Sequence, residues 1–313
     1  MRYLHFNFSK MNFLTFIITY PFIWFLSRLP MRILYIFSDF FFLILYYIIG
    51  YRKKVATKNL KTAFPNKKET EINRISKKFF KHFVDILFES VKSFAISKNE
   101  LQKRYKYVNP ELINEYARQG RSIALVGSHQ ANWEWAVGMP LSVDINCFGA
   151  YKKIKNPYFD KLIKGSRTKF GFEAVPTSLF NRSLYEKHSN KIQYLYLLLS
   201  DQSPQIRKTR YWATFLNEKV PVHTGAEVLA KKYNSVVVNM KTTKIKRGYF
   251  EIEFELITDS PNDFDNFEIT DKYLAITEKN IKAQPEYYLW THNRFKHKNK
   301  YEQWLEIKKA SQK

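Results

Sequence analysis

Hydrophobic positions dominate the amino-terminal part of the chain and alternate with polar positions in the rest. Residues 11–27 carry no charge, and a second uncharged run covers residues 40–51 after an interruption that contains Arg28, Arg32 and Asp39. As a helix the first run would be about 26 Å long, close to the thickness of a bilayer's hydrocarbon core, although Pro21 disfavours a regular spanning helix. We expect residues 1–51 to be a membrane-anchoring segment, either a short anchor or a pair of helices partly sunk in one leaflet.

Two other interpretations of this segment differ in their support. A secretory signal peptide needs small residues at a cleavage site after the apolar run, and "SRLPMR" (residues 27–32) does not offer them. A buried helical hairpin of a soluble protein would show the same apolar runs, and the sequence leaves it open.

The body of the chain, residues 52–313, predicts one α/β domain. The phenylalanines at 79, 80 and 83 begin a stripe at helical spacing. Further on, short apolar runs alternate with amphipathic stretches, which favours a mixed, largely parallel sheet flanked by helices. The predicted strands are residues 122–126, 146–151, 172–175, 194–200 and 235–240, with an outer strand at 247–257, and the predicted helices are residues 132–140, 158–170, 178–188 and 224–234.

Charge and composition narrow the possible partners. The chain has 52 Lys+Arg against 28 Asp+Glu, a net charge of +24, so anionic partners such as anionic lipid, acidic protein or nucleic acid are expected. The basic residues directly after the second apolar run indicate that the body lies on the cytoplasmic side of the membrane; they are Arg52, Lys53, Lys54, Lys58 and Lys61. The single cysteine, Cys147, excludes a disulfide framework and a multi-cysteine zinc site, and its apolar strand makes it a core residue.

The candidate chemistry lies in "GSHQANWEWA", residues 127–136, which follows the predicted strand 122–126. On one continuous helix, the side chains of His129 and Glu134 would point about 140° apart. Asn132 is a good helix N-cap, however, so we expect His129 in a loop and Glu134 in the first helical turn, within hydrogen-bond reach of each other. An ionised carboxylate on one ring nitrogen would leave the other nitrogen free to accept a proton from a hydroxyl.

Other chemistries lack their motifs. The sequence has no G-x-S-x-G around Ser128, no H-E-x-x-H helix, no P-loop and no G-x-G-x-x-G. It therefore calls for neither a metal nor a cofactor.

"GSHQANWEWA" resembles the H-x4-D/E motif of the lysophospholipid acyltransferase superfamily. The whole chain is similar to the bacterial lipid A biosynthesis acyltransferase family, and the similarity also rests on "YRKKVATKNLKTAFPNK", "YLLLSDQSP", "TFLNEKVPVHTGAEVLAKK" and "PEYYLWTHNRFK". The resemblance implies an enzyme of the inner membrane, facing the cytoplasm. Such an enzyme transfers a fatty acyl chain from acyl carrier protein, or acyl-CoA, to a hydroxyl of a lipid A precursor or related lyso-lipid.

The same resemblance assigns roles to individual residues. His129 is the general base and Glu134 its orienting acid. Arg167 would bind an anionic headgroup at the substrate cleft, unless it is a solvated helix arginine. Asp201 and Gln202 stand in the family's "DQ" position and would line the site, unless they only close a turn.

Further positions in the family motifs are expected to be mainly structural. Thr224, Gly225 and Glu227 open a helix, and His292 and Arg294 pack the carboxyl-terminal region against the domain. Asn217 stands where many members have glycine, which puts the local backbone there in doubt.

Two non-enzymatic functions compete with this interpretation. A membrane-attached nucleic-acid-binding module would explain the positive charge and the many aromatic residues, but it gives no role to "HQANWE", so we do not expect nucleic acid as a partner. A non-catalytic homologue that binds lipid is the other alternative, and the intact His129 and Glu134 argue against it.

Overall fold

The computed structural model describes residues 2–310, with side chains from residue 11 to residue 309. Its described part forms an α/β domain that carries two apolar helices at its amino-terminal end. The α-helices are α1 Arg2–Arg28, α2 Met31–Leu43, α3 Lys53–Ala63, α4 Glu69–Lys92, α5 Lys98–Arg104, α6 Glu111–Arg118, α7 Pro157–Thr168, α8 Phe180–Ser189, α9 Gly225–Tyr233, α10 Glu268–Ala283 and α11 Tyr301–Ala310.

The main sheet has seven strands in the order β1-β9-β8-β2-β5-β3-β4, and only the β8–β9 pair within it is antiparallel. The predicted mixed, largely parallel sheet flanked by helices is therefore confirmed. The strands are β1 Tyr105–Tyr107, β2 Ile123–Gly127, β3 Cys147–Tyr151, β4 Glu173–Pro176, β5 Leu195–Leu199, β8 Val236–Lys246 and β9 Tyr249–Thr258, and a separate hairpin pairs β6 Tyr211–Phe215 with β7 Glu218–Val222.

Two details of the sequence prediction are wrong. The stretch expected to be an outer strand is β9, which has neighbours on both sides because the short strand β1 covers its free edge. Residues 132–140 were expected to start an α-helix, but Trp133–Leu141 is a 3₁₀ helix. Pro140 lies inside it and supplies no backbone N–H, and a proline also disfavours the α conformation of the preceding residue.

The register of β2 and β5 positions the site. These parallel neighbours pair Gly127 with Leu199 at their carboxyl ends. Because both chains leave the sheet at the same level, residues two positions further on, His129 and Asp201, emerge side by side.

The amino-terminal helices pack on the domain through one face only. Leu34 and Phe42 of α2 belong to the buried core, whereas Ile36 and Phe40 are exposed on the opposite face. Within the described residues one helix, Met31–Ile49, is long and apolar enough to cross a membrane by length and composition, and 22% of it is buried against the protein. The apolar segment predicted at residues 1–51 thus includes a candidate anchor. The helix that meets the length and hydropathy criteria, Met31–Ile49, lies after the first uncharged run, residues 11–27.

Polar contacts also hold α2 on the domain. Arg247, at the turn between β8 and β9, pairs with Asp39 of α2 and with Asp85 of α4. Tyr35 of α2 donates a hydrogen bond of 2.7 Å to Glu89 of α4, which is completely buried. These contacts tie the helix that carries the exposed apolar face to the interior of the α/β domain.

Candidate active site

His129 lies in a tight turn directly after β2. The backbone N–H of Gln130 donates to the carbonyl of Ser128, and the N–H of Leu289 donates to the carbonyl of His129. Ala131 then takes a left-handed backbone conformation, with φ of 52°. The turn reverses the chain and leaves the His129 side chain at the carboxyl edge of the sheet, where α/β enzymes commonly bind their ligands.

Asp201 is the carboxylate that contacts His129. Its Oδ1 lies 2.7 Å from His129 Nδ1 and also accepts the backbone N–H of His129 at 3.1 Å. The Asp201 side chain is 1% exposed and that of His129 is 18% exposed, so the carboxylate is buried while the ring reaches the surface of a cavity. With Nδ1 donating to Asp201, Nε2 is the nitrogen that can accept a proton.

Burial alone would lower the pKa of His129, but the charge of Asp201, its hydrogen bond to the ring and the charge of Glu134 together raise it above the usual value. Burial alone would raise the pKa of Asp201, but the charge of His129 and its hydrogen bond hold it below the usual value. The two directions agree, because each group stabilises the charged form of the other. Asp201 is therefore ionised at neutral pH, and its charge makes the imidazole a stronger base.

Gln202 contacts the other nitrogen of the ring. Its side-chain nitrogen lies 3.2 Å from Nε2 of His129. With Nδ1 protonated, this amide N–H donates to the lone pair of Nε2. Gln202 therefore occupies the position from which a hydroxyl would approach.

Glu134 lies in the same cavity but contacts a different partner. Its carboxylate accepts a hydrogen bond of 3.2 Å from Arg167 on α7 and another of 3.2 Å from the indole N–H of Trp133. The Glu134 and Arg167 side chains are 31% and 27% exposed. They form a half-exposed ion pair on the wall of the cavity that His129 also lines.

The sequence expectation that Glu134 hydrogen-bonds His129 is wrong, because Asp201 makes that bond. The reasoning about the cap was correct, since Asn132 accepts the N–H of Trp135 at 3.1 Å and places Glu134 in the first turn. That turn directs the carboxylate across the cavity toward the guanidinium of Arg167. The β2–β5 register meanwhile delivers Asp201 to Nδ1 from the neighbouring strand.

The family resemblance predicts Asp201 in the site, but the sequence does not predict that Asp201 binds the imidazole of His129. The available signal was that two predicted apolar strands, 122–126 and 194–200, are each followed by ionisable residues. What was missing was the strand order, because only adjacent parallel strands bring such residues together.

The cavity beside His129 has a volume of about 340 Å³. Its lining combines polar side chains, among them His129, Glu134, Lys152 and Arg167, with apolar and small residues; these include Val137, Gly149, Ala150, Phe172, Ala174, Leu197 and Leu198. A lining that offers both polar and apolar groups suits an amphiphilic ligand.

Two side chains of α4 contact the turn that carries His129 and hold it in place. Glu89 accepts a 2.6 Å hydrogen bond from the side chain of Asn132, and His82 lies with its Nε2 3.3 Å from the carbonyl of Ala131. Both α4 side chains are buried. The sequence of α4 does not predict this role for His82 and Glu89. Their function follows from the partners they contact, and the hydrophobic pattern of a helix does not identify those partners.

The other motif residues have the structural positions that the sequence suggested. Nε2 of His292 accepts the N–H of Ser203, and Arg294, 1% exposed, donates to the carbonyl of Pro221. Glu227 accepts the backbone N–H groups of Phe267 and Thr270 at the start of α10.

Asn217 and Cys147 also have simple explanations. Leu216 and Asn217 form the two-residue turn of the β6–β7 hairpin with φ of 50° and 67°, and asparagine tolerates this left-handed conformation nearly as well as glycine. Cys147 is buried in β3, and burial raises the pKa of its thiol to about 12, so it is a core residue.

A comparison with protein families decides the classification. The family model described as bacterial lipid A biosynthesis acyltransferase matches residues 5–297. The chain belongs to this family. It is also 23% identical over 246 residues to the lipid A biosynthesis lauroyltransferase of Escherichia coli (strain K12), which covers 78% of this chain and 79% of that protein. The protein is therefore an acyltransferase, and the cavity lined by His129 is its candidate active site.

Proposed function

We propose that this acyltransferase moves a fatty acyl group from a thioester donor to a hydroxyl of a lipid A precursor, with His129 as the general base. The observation that carries the proposal is the His129–Asp201 pair beside a cavity whose lining is partly polar and partly apolar. The printed family description and the printed name of the Escherichia coli relative support the acceptor.

In the proposed reaction, the acceptor hydroxyl displaces the Gln202 amide and donates its hydrogen bond to Nε2 of His129. As that proton passes to the ring, the oxygen attacks the thioester carbonyl. The C–O ester bond forms, the C–S bond breaks, and the imidazolium returns the proton to the leaving thiolate. Asp201 stabilises the imidazolium and holds the ring, while no enzyme nucleophile is needed because the acceptor brings its own hydroxyl.

Glu134 and Arg167 keep their places in the proposal as substrate-facing groups. Arg167 offers forked donors to a phosphate or carboxylate of the acceptor, and Glu134 orients those donors through the observed ion pair. The electrostatic effect of Glu134 on His129 is in the same direction as that of Asp201 but acts without direct contact. Glu134 is thus proposed as a positioning residue for Arg167 rather than for the imidazole.

The donor is proposed to be acyl carrier protein, in preference to acyl-CoA. Acyl carrier protein is acidic, and the chain carries a net charge of +24. Steered association of oppositely charged proteins weakens steeply with salt. We therefore expect kcat/KM with acyl carrier protein to fall more steeply with ionic strength than kcat/KM with acyl-CoA.

The enzyme is proposed to lie on the cytoplasmic face of the inner membrane through α1, α2 and the turn that follows α2. Ile48 and Ile49 are 78% and 64% exposed, and α3 begins directly after them with its row of lysines. An open groove of about 1010 Å³ runs along α3; its lining includes Lys53, Lys54, Lys58, Lys61 and Lys298. An apolar surface beside a basic one matches the border between acyl chains and anionic headgroups.

The direct test replaces His129 by alanine in the full-length protein. Loss of a positioned general base should lower the rate of acyl transfer by roughly 10²- to 10⁴-fold, while the protein stays folded at the assay temperature, although with a lower unfolding temperature because the buried Asp201 loses its ring partner. The rate is measured with an acyl thioester and a lipid A precursor, followed by mass spectrometry of the product. Transfer at the wild-type rate by a folded His129→Ala protein would refute the assignment.

A further inference from the structure

Helices α1 and α7 enclose a second groove, which lies away from His129. The two helices run in the same direction: Phe16 stacks on Tyr158 near the start of α7, with ring centroids 5.4 Å apart, while Arg28 and Lys169 lie close together near the ends of both helices. The groove between them has a volume of about 520 Å³. From Phe16 to Arg28 it follows about 18 Å of helix, slightly more than half of a ~30 Å hydrocarbon core.

The walls of this groove are apolar and largely aromatic; they include Phe16, Tyr20, Ile23, Trp24, Phe94 and Leu162. The opposite face of α1 is also apolar, with Leu14 and Phe22 exposed by 59% and 68%. The helix that forms one wall of the groove thus also belongs to the surface that we assign to the membrane, which brings the groove close to membrane lipids.

Positive charges gather at the far end of the groove. Arg28 and Lys169 line it there, and Lys92 lies behind them, close enough for its charge to act on Lys169. Lys161 lines the groove about two turns earlier on α7. Burial lowers the pKa of Lys169, and the like charges of Lys92 and Arg28 lower it further. Among the described residues, the nearest carboxylate to this cluster in an ion pair is Glu100, 3.9 Å from Lys92. The repulsion within the cluster is thus left largely uncompensated.

The hydrogen bonds that Lys92 and Lys169 make to the backbone leave some of their N–H donors available. Lys92 donates to the carbonyl of Leu29 and Lys169 donates to the carbonyl of Ile96. Each ammonium group has three N–H donors, so others remain for an anion. Arg28 rests on the ring of Trp24, with its guanidinium carbon 3.8 Å from the ring centroid, which holds the charge at the end of the aromatic wall.

We propose that the α1–α7 groove binds one anionic phospholipid of the membrane, with its phosphate against Arg28 and Lys169 and one acyl chain along the aromatic wall. The lipid fills the space between the two helices and compensates the cation cluster. This site is separate from acyl transfer, because Arg167 faces the His129 cavity while Lys161, Gly165 and Ser166 face the groove from the same helix. The bound lipid thereby supports α7 from the side opposite to the substrate.

Gly165 gives a clean way to block the groove. A Cβ at this position meets no other atom within 4 Å, and the residue lies within α7, where leucine is a better helix former than glycine. Gly165→Leu should therefore fill the groove without strain. Thr168→Leu, exposed on the same helix and outside the groove, is the matched control.

The experiment titrates phosphatidylglycerol into the full-length protein in a neutral maltoside detergent and counts bound lipids by native mass spectrometry. Wild type and Thr168→Leu should retain one tightly bound phosphatidylglycerol, and Gly165→Leu should bind it at least roughly tenfold more weakly. An Arg28→Gln/Lys169→Gln double variant should lose a similar factor, because each cation near the headgroup contributes to the attraction. A Lys272→Gln/Lys279→Gln double variant makes the same charge change at exposed positions of α10 and should bind normally.

Three results would overturn the proposal: normal binding by both groove variants, equal loss in the α10 control, or competitive displacement of phosphatidylglycerol by a lipid A precursor. The last result would make the groove part of the acceptor site. His129→Ala should retain the lipid, so the outcome is independent of the proposed catalytic role. If Gly165→Leu unfolds, the Arg28→Gln/Lys169→Gln variant decides the question, with its folding checked by thermal unfolding because Lys169 donates to the carbonyl of Ile96.

Discussion

At the scale of single residues, the catalytic proposal depends on which carboxylate holds the imidazole. Asp201 is buried and contacts Nδ1 at 2.7 Å, whereas Glu134 is half-buried and contacts Arg167. A buried charge close to the ring stabilises the imidazolium much more than a partly solvated charge further away. The two carboxylates should therefore differ in what their removal does.

We predict that Asp201→Asn lowers kcat by roughly 10²-fold or more, because the ring loses the charge that stabilises its protonated form. Glu134→Gln should mainly raise KM for the acceptor, because the Arg167 donors lose their orientation. Steady-state kinetics with varied acceptor separate the two effects. A larger loss of kcat in Glu134→Gln than in Asp201→Asn would restore Glu134 as the partner of the base.

The pH dependence gives a second, independent measure of the same pair. The base form of His129 is needed for transfer, and Asp201 raises the pKa of His129. Activity in the wild type should therefore rise with pH through this raised pKa, and in Asp201→Asn the acidic limb of the kcat profile should move to lower pH. A limb that stays in place in Asp201→Asn would mean that another group controls it.

At the scale of elements, α4 connects the apolar helix α2 with the turn that carries His129. The buried carboxylate of Glu89 accepts one hydrogen bond from Tyr35 of α2 and one from Asn132 beside the catalytic turn. Burial and the negative charge of Asp85 raise the pKa of Glu89 to about 7, against the opposing effect of Lys244. The ionised carboxylate of Glu89 therefore lowers the stability of the folded protein, although the same side chain holds the turn that carries His129.

We predict that Glu89→Gln stabilises the protein at high pH. The unfolded chain loses the Glu89 proton near its usual pKa of 4.5 and the folded chain near 7, so stability falls as pH rises between these values and stays reduced above them. The shift corresponds to roughly 3 kcal/mol. Glutamine can keep both contacts, since its oxygen accepts from Asn132 and the Tyr35 hydroxyl can turn to accept its N–H.

Thermal unfolding in detergent at several pH values checks this prediction. The advantage of Glu89→Gln over wild type should be largest above pH about 8 and vanish near the lower end of the window. Glu115→Gln, which removes the same charge from an exposed position, should show no such trend. A Glu89→Gln protein with the same pH dependence as wild type would contradict the raised pKa.

Elements could be predicted from the sequence wherever one period dominated. The apolar runs of β2, β3 and β5 and the amphipathic pattern of α7 and α9 matched the structure within a few residues, whereas β8 starts where predicted but continues six residues further, to Lys246. The 3₁₀ helix after His129 could not be distinguished from an α-helix, because hydrophobic spacing over so few residues fits both. The very short β1 was missed, since three residues of alternating polarity carry no period, and with it the inner position of β9.

At the scale of the whole molecule, apolar and basic surfaces lie next to each other at the amino-terminal end. Lys54, Lys58 and Lys61 of α3 follow the exposed isoleucines at the end of the preceding helical turn. Each lysine near an anionic bilayer contributes about 1 kcal/mol of attraction. In the proposed membrane association, the apolar helices would insert and the lysines would add an electrostatic component that salt can screen.

We predict that replacing these three lysines by glutamine weakens binding to vesicles of phosphatidylglycerol and phosphatidylcholine by roughly 10²-fold at low salt. Sedimentation with vesicles measures the bound fraction. The control replaces Lys272, Lys279 and Lys282 of α10, which are also exposed, and should bind almost like wild type. Equal weakening in both triple variants would mean that net charge, rather than this surface, governs binding.

The site was harder to predict than the fold, because its decisive contacts join residues that are far apart in the sequence. "HQANWE" is a local pattern, so sequence could find His129 and the Asn132 cap. The Asp201 contact and the Glu89 support each join positions far apart in the chain, 72 and 43 residues respectively. Such contacts depend on strand order and helix packing, which the whole chain decides together.

The amide of Gln202 resting on Nε2 has a consequence for an enzyme that handles a reactive thioester. In the structure this donor engages the lone pair of His129, so a stray water molecule arriving before the acceptor finds the base already engaged. Only a ligand held by the rest of the cavity can compete for that position. In the proposed mechanism this resting contact would thereby limit hydrolysis of the thioester until the acceptor is bound.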